Sequence, residues 1–176
     1  MAKIRYQVAM SLDGYIAGPN GEIDWIVMDP EIDFGAIFSQ FDTLLMGRRT
    51  FDFMAQANHA TMPGMKTIVF SRTLRQSDHP ELTIVRDDQT ELLKSLRAKP
   101  GKDVWLFGGG SLFRSLLAAG FVDSVELAVI PVLLGGGIPV LGLDDSAGYR
   151  PAKLCLTSHR VYNSGIISVE YAVKRD

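Results

Sequence analysis

The chain has 176 residues, 47% hydrophobic and 22% charged, with 18 Lys+Arg set against 20 Asp+Glu for a formal charge of −2. This is the composition of a folded globular protein. With 17 Gly and 8 Pro it excludes a fibrous or low-complexity chain, whose share of the two reaches roughly 25–30%. The near-neutral balance excludes the basic face that a nucleic-acid backbone requires, and the lone Cys155 excludes an internal disulfide and fits a reducing compartment.

The first ten residues carry Lys3 and Arg5 but no long apolar core before Asp13, unlike a secretory signal. The longest uncharged stretch, 127–143, contains Pro131, Pro139 and four glycines. It is shorter than the ~20 apolar residues of a membrane span, so the expectation is a cytoplasmic protein. Strand candidates follow in chain order at 3–10, 42–46, 66–70, 82–85, 103–107, 124–134 and 166–174. Most are short apolar runs, as strands covered on both faces are. Helical spacing lies between them: Phe34, Ile37, Phe38 and Phe41 form one stripe, and Leu92, Leu93 and Leu96 a second. Leu112, Phe113, Leu116 and Leu117 form a third, stopped by Gly120. Alternation of this kind predicts an α/β fold, a mainly parallel sheet with helices on both faces. Segments 124–134 and 166–174 have no helix pattern between them, which places an antiparallel pair at one edge. No linker, charge block or repeat divides the chain, so 1–176 reads as a single domain.

Three of the apolar strands run into residues suited to an anion. Leu44-Leu45-Met46 leads into Gly47-Arg48-Arg49-Thr50, Ile68-Val69-Phe70 into Ser71-Arg72, and Val104-Trp105-Leu106-Phe107 into Gly108-Gly109-Gly110-Ser111. In a parallel sheet these junctions share the carboxyl edge, where α/β folds bind ligands. Two of them open helices, whose free N–H groups and dipole favour phosphate. Arg48 and Arg72 add guanidinium forks. Each element alone is an ordinary turn; the threefold repetition at one edge points to a nucleotide with several phosphates. The Rossmann fingerprint is broken by Phe113 and Val140, and no glycine loop precedes Lys-Ser or Lys-Thr. His59, His79 and His159 show no metal spacing, and Ser111 sits in no nucleophile elbow.

At these residues the chain resembles the dihydrofolate reductase superfamily, and within it the branch containing the reductase domain of bacterial riboflavin biosynthesis. The blocks that carry the resemblance are Val8-Ala9-Met10-Ser11-Leu12-Asp13-Gly14-Tyr15-Ile16-Ala17-Gly18 and Phe41-Asp42-Thr43-Leu44-Leu45-Met46-Gly47-Arg48-Arg49-Thr50-Phe51. Ile68-Val69-Phe70-Ser71-Arg72, Leu106-Phe107-Gly108-Gly109-Gly110-Ser111-Leu112 and Ile130-Pro131-Val132-Leu133-Leu134-Gly135-Gly136-Gly137 follow in order. The resemblance implies an NADPH-dependent reductase with a dihydrofolate-reductase-like α/β/α architecture. It assigns the cofactor phosphates to Gly47, Arg48 and Thr50 and the pyrophosphate to Gly108, Gly109, Gly110, Ser111 and Leu112. It assigns the adenosine 2′-phosphate to Ser71, Arg72 and Arg86, and the nicotinamide carboxamide to the backbones of Ala9 and Ile16. Ser11, Trp25, Gly135 and Gly136 fall on the substrate side. Relatives of this type pair as homodimers through their sheets and C-terminal segments.

Two departures count against folate as the substrate. The arginine that follows the Pro-Gly turn in folate reductases is Met65 here, and their late-strand threonine is Ala128. The carboxylate that assists hydride transfer has three candidates, Glu31 and Asp33 after Trp25, and Asp13. Glu31 and Asp33 equally suit a helix N-terminus, and Asp13 a turn before Gly14. The leading expectation is hydride transfer to a C=N or C=O carbon of a small heterocyclic or ribosyl-linked substrate, such as the ribosylaminopyrimidine of flavin synthesis. A folate or pterin reductase and a non-catalytic NADPH sensor are the alternatives.

Overall fold

The computed structural model describes residues 1–86, 89–98, 100–143 and 151–175. Its elements are β1 (Ile4–Ser11), β2 (Tyr15–Ala17), α1 (Phe34–Phe38), β3 (Phe41–Gly47), α2 (Arg48–Gln56), β4 (Lys66–Phe70) and β5 (Thr83–Val85). They continue with α3 (Gln89–Ala98), β6 (Asp103–Gly108), α4 (Gly110–Ala118), β7 (Ser124–Ile130), β8 (Ile138–Pro139), β9 (Leu154–Val161) and β10 (Ile167–Val173). Eight strands form one sheet in the order β5-β4-β3-β6-β1-β7-β10-β9, and β2 pairs with β8 in a separate ribbon. The sheet is parallel from β5 to β7. β10 runs antiparallel to β7, and β9 antiparallel to β10.

The strands read from apolar runs are central because they bury both faces. Leu44, Leu45 and Met46 of β3 are all fully buried, as are Ile4 and Tyr6 of β1. On one face Ile4, Tyr6, Leu45, Ile68 and Leu106 pack beneath Leu93 and Leu96 of α3 and Phe113 and Leu116 of α4. Tyr6 and Phe113 stack at 3.7 Å. On the other face Leu44, Met46, Val69 and Trp105 pack beneath Phe51 of α2, with Ile37 of α1 against them. This second layer stops at β6: among the described residues it includes none from β1, β7, β9 or β10. Over β1 and β7 that face carries the small residues Ala9 and Ala128, in register with each other.

At the sheet's amino edge Arg5 grips Glu126 through two 2.7 Å hydrogen bonds and reaches Asp103 at 3.3 Å. These bonds tie β1 to both neighbours, and the Glu126 partnership raises the Arg5 pKa above its ordinary value. The charge is half-buried and paired, which is what makes it tolerable there.

Three sequence expectations change. The strand expected to run to 134 ends at Ile130, because Pro131 has no N–H to continue the ladder, and 131–134 forms a loop. Phe41 leaves the helical stripe and opens β3, since α1 ends at Phe38. The edge strand is β9, outside β10; all eight of its residues are exposed, so no buried alternation marks it.

Candidate functional site

Two helices begin side by side at the carboxyl edge. Gly47 is the N-cap of α2 and Gly109 that of α4, and neither helix has a side-chain cap. Their first N–H groups therefore have no side-chain acceptor, an arrangement suited to anions. The two ends touch. A Cβ on Gly47 would lie 3.8 Å from the Gly108 carbonyl and 3.9 Å from Leu112, and one on Gly109 would lie 3.4 Å from the Thr50 hydroxyl. Gly108 has φ +118°, a conformation side-chain-bearing residues rarely adopt, and the Gly108–Gly109 peptide is cis. Behind α4, the 139–142 segment packs on Gly110; Arg114 holds it by bonding the carbonyls of Leu141 and Gly142.

The arginine side of the site gathers around the turn after β4. Ser71 is buried, and its hydroxyl accepts the N–H groups of Thr73 and Leu74 at 3.2 and 3.1 Å. Arg48 donates to the Thr73 hydroxyl at 2.9 Å and to both Asp52 oxygens at 2.7 Å. Arg72 is exposed on the same turn, and Arg86 donates to the Leu74 carbonyl at 2.9 Å. Arg48, Arg72, Arg86, Ser71 and the two glycine turns thus meet at one rim, as the strand ends predict. Asp52 and Thr73 were not anticipated. The i,i+4 spacing of Arg48 and Asp52 is the signal that would have found the first.

Acidic residues dominate the other side of the rim. Ser11 donates to Asp13 at 2.7 Å, and Asp13 also accepts the N–H groups of Leu134 and Gly135, the latter at 2.8 Å. The Ser11 hydroxyl foremost, then these N–H groups, hold the Asp13 carboxyl below the ordinary aspartate value. Asp13 is therefore ionised at neutral pH and clamps the 134–137 glycine loop to the β1–β2 turn. Ser11 is fully buried and spent in that clamp, since its hydroxyl also accepts the Tyr15 N–H at 3.0 Å. A Cβ added at Gly136 would meet nothing within 4 Å, and Ile16 lies half-buried on β2 beside β1.

Glu31 uses both oxygens, accepting from Arg160 at 2.9 Å and Asn163 at 2.7 Å. Asp33 is the N-cap of α1, and its Oδ1 accepts the Ala36 N–H at 2.9 Å. Trp25 is half-buried and donates its indole N–H to the Glu22 carbonyl at 3.0 Å. Buried Asp29 was missed: it accepts the N–H groups of Glu31 and Ser164 at 2.8 and 3.3 Å. Together Asp29 and Glu31 fasten the β2–α1 connector to the β9–β10 turn. Their partners lie 129–135 residues away, so no local pattern announces them. Among the described residues no cluster of His, Cys, Asp and Glu is arranged to hold a metal, and no helix is long and apolar enough to cross a membrane.

The family model described as the RibD C-terminal domain matches residues 2–168. The chain is 34% identical over 181 residues to the uncharacterized protein YyaP of Bacillus subtilis, covering 96% of this chain and 94% of that one. Among solved structures, a Shewanella sp. PV-4 protein named for riboflavin biosynthesis superposes with a TM-score of 0.79 at 28% identity, over 99% of this chain and 100% of that chain. Enterococcus faecalis dihydrofolate reductase, solved in complex with NADP(H), superposes with a TM-score of 0.69 at 19% identity, over 98% and 97% of the two chains, a likeness of fold.

Proposed function

The chain belongs to the RibD C-terminal domain family, and on that premise we propose that it is an NADPH-dependent reductase acting on a C=N or C=O carbon of a small heterocyclic or ribosyl-linked substrate. The observation that carries this reading is the meeting of two uncapped helix N-termini with Arg48, Arg72 and Arg86 at one rim. These residues fit a dinucleotide carrying an extra phosphate: bare N–H groups for the pyrophosphate, and a separate cationic turn one strand away. Gly47, Arg48, Thr50 and Gly108–Leu112 would hold the phosphates, Ser71, Arg72 and Arg86 the 2′-phosphate, and the backbones of Ala9 and Ile16 the carboxamide. When bound, NADPH supplies the hydride.

The chain's own part is to orient the acceptor and keep charges fixed. Asp13 and Glu31 have their oxygens committed and serve as positioning residues, Asp13 for the glycine loop and Glu31 for the β2–α1 connector. Asp33 keeps Oδ2 uncommitted, and we assign it to orient the substrate or relay a proton through water. Folate is disfavoured, because Met65 lies in an apolar cavity and Ala128 sits beside Ala9 with no hydroxyl to offer. An NADPH sensor without turnover is separated from a reductase by steady NADPH consumption with 5-amino-6-(5-phosphoribosylamino)uracil or another acceptor. The protein works in the cytoplasm as a homodimer, joined across the exposed apolar side chains of β9 and β10.

Thermal shift with NADPH beside NADH tests the cofactor assignment. NADPH raises the midpoint more than NADH does, and Arg72→Ala abolishes the difference. Equal stabilisation of the native protein by both cofactors refutes the 2′-phosphate site.

A further inference from the structure

The connector that follows β2 folds back on itself at Gly18-Pro19-Asn20-Gly21-Glu22. The Gly21 N–H donates to the Gly18 carbonyl at 3.1 Å, a β-turn with Pro19 and Asn20 at its centre. The Gly18 N–H donates to the Glu22 carbonyl at 2.8 Å. The Glu22 carboxylate latches this turn. One oxygen accepts the Asn20 side-chain amide at 2.8 Å and the other the Asn20 backbone N–H at 2.9 Å. The Asn20 amide foremost holds the Glu22 carboxyl below its ordinary value, so the latch is charged at neutral pH.

Asn20 is exposed, and it forms the one asparagine–glycine pair of the chain. An asparagine loses its amide when the next backbone nitrogen attacks its Cγ, and a Cβ on that next residue obstructs the approach. Gly21 has no Cβ and takes φ +94°. The other two asparagines lack this opening, since His59 follows Asn58 and Ser164 follows Asn163. The Asn163 amide is also held by Glu31 at 2.7 Å. At Asn20 the restraint is the latch itself: the amide must leave Glu22, and the Gly21 N–H must leave the Gly18 carbonyl, before the two atoms can meet.

We propose that Asn20 is a site of spontaneous deamidation, restrained by Glu22, and that its conversion opens the 18–22 turn. The Gly21 nitrogen bonds to the Asn20 Cγ and gives up its proton, the Cγ–Nδ2 bond breaks, and Nδ2 leaves as ammonia. Water then opens the cyclic imide at either carbonyl, giving aspartate or isoaspartate; the latter adds a carbon to the main chain. No electrons are transferred, and water is the sole co-reactant. The product makes the chain one unit more negative than its formal −2. The new carboxylate faces the carboxylate that its amide served, with Asp24 nearby. The groove that these residues line with Ile23 and Phe53 of α2 has no Lys or Arg in its walls. Like charges at this separation repel, and the latch becomes a wedge. Its opening reaches Trp25, whose indole N–H rests on the Glu22 carbonyl at 3.0 Å.

The test incubates the full chain at mildly alkaline pH, following each asparagine by peptide mass mapping and the turn by tryptophan fluorescence. The Asn20 peptide gains about 1 Da, the exchange of ammonia for water, while Asn58 and Asn163 keep their amides. Tryptophan emission moves on the same time course, and Asn20→Asp shows the moved spectrum from the start. Glu22→Ala converts several-fold faster than the native protein. Asn20→Gln, whose longer side chain cannot close the same ring, gains no mass and keeps the native spectrum. A folded protein that retains the Asn20 amide while the urea-unfolded chain loses it overturns the proposal, as does conversion that starts at Asn58 or Asn163. An Asn20→Asp spectrum identical with the native one overturns the opening of the turn, and an unchanged rate in Glu22→Ala overturns the restraint. None of these readings involves a cofactor, so they stand apart from the reductase assignment.

Discussion

Gly110→Ala is a sharp test of the packing that places the second helix N-terminus. A Cβ there would sit 2.6 Å from the Gly142 nitrogen and 3.0 Å from the Val140 carbonyl oxygen, with the Pro139 carbonyl also in the way. All three are backbone atoms and cannot rotate aside. Moving the nitrogen contact from 2.6 Å to the 3.4 Å where ordinary contact begins requires a retreat of about 0.8 Å. The segment is anchored by the Tyr6 hydroxyl on the Val140 carbonyl at 3.1 Å and by the Val140 N–H on the Gly14 carbonyl at 2.9 Å. A shift of that size takes the Tyr6 bond past hydrogen-bonding range, and Tyr6 is wholly buried. An unsatisfied buried hydroxyl costs about 1–3 kcal/mol and overpacking a further ~1–3 kcal/mol, so the expected loss is roughly 2–6 kcal/mol. Gly136→Ala is the internal control, because nothing lies within 4 Å of its added Cβ and its φ is unrestricted; its effect stays within about 0.5 kcal/mol. Urea denaturation followed by far-ultraviolet circular dichroism measures both. The reasoning fails if the two variants have the same midpoint.

Asp52→Asn frees the Arg48 guanidinium from an exposed i,i+4 pair worth only about 0.3–0.5 kcal/mol. Stability barely changes, while NADPH binds several-fold more tightly at low salt and the gain fades at high salt; weaker binding by calorimetry contradicts competition between Asp52 and phosphate. The Ser164 hydroxyl and the Glu31 N–H hold Asp29 below the ordinary aspartate value, so its contribution to stability is present at neutral pH and is lost as pH falls through that depressed value. Asp29→Asn is accordingly less stable than the native protein at pH 7, and the gap closes below about pH 4; a pH-independent gap in urea midpoints removes the linkage. Leu156→Glu, on the exposed edge strand, shifts light-scattering mass from dimer toward monomer without unfolding the protein. An unchanged mass moves the interface elsewhere.

The parallel core was legible because burial on both faces leaves an unbroken apolar run, as in Leu44-Leu45-Met46 and Ile68-Val69-Phe70. The shared edge of Gly47, Arg48, Ser71, Arg72 and Gly108–Gly110 was legible because glycines and arginines directly follow those runs. The β9 edge escaped because Leu154–Val161 buries neither face and its pairing with β10 shifts register at Glu170/Tyr171, so neither an apolar run nor a clean alternation survives. The β2–β8 ribbon is too short to carry a period. The carboxylates were legible as residues and illegible in role. Whether Asp13 or Glu31 is spoken for depends on Gly135 and Arg160, more than a hundred positions away.

What the rim adds to these pieces is a polarity across the sheet. Its β3–β4–β5 side carries Arg48, Arg72 and Arg86, and its β1–β7–β10 side carries Asp13, Asp29 and Glu31. Asp52 offsets Arg48 on the first half and Arg160 offsets Glu31 on the second, and the charges that remain still differ in sign, so an anion is favoured on the first half. The acidic half is already saturated with donors, since Asp13 and Asp29 are held ionised by N–H and hydroxyl groups. It therefore repels anions without needing to bind cations. On the proposed reductase reading, this polarity keeps a dinucleotide's phosphates from sliding into the acceptor's place.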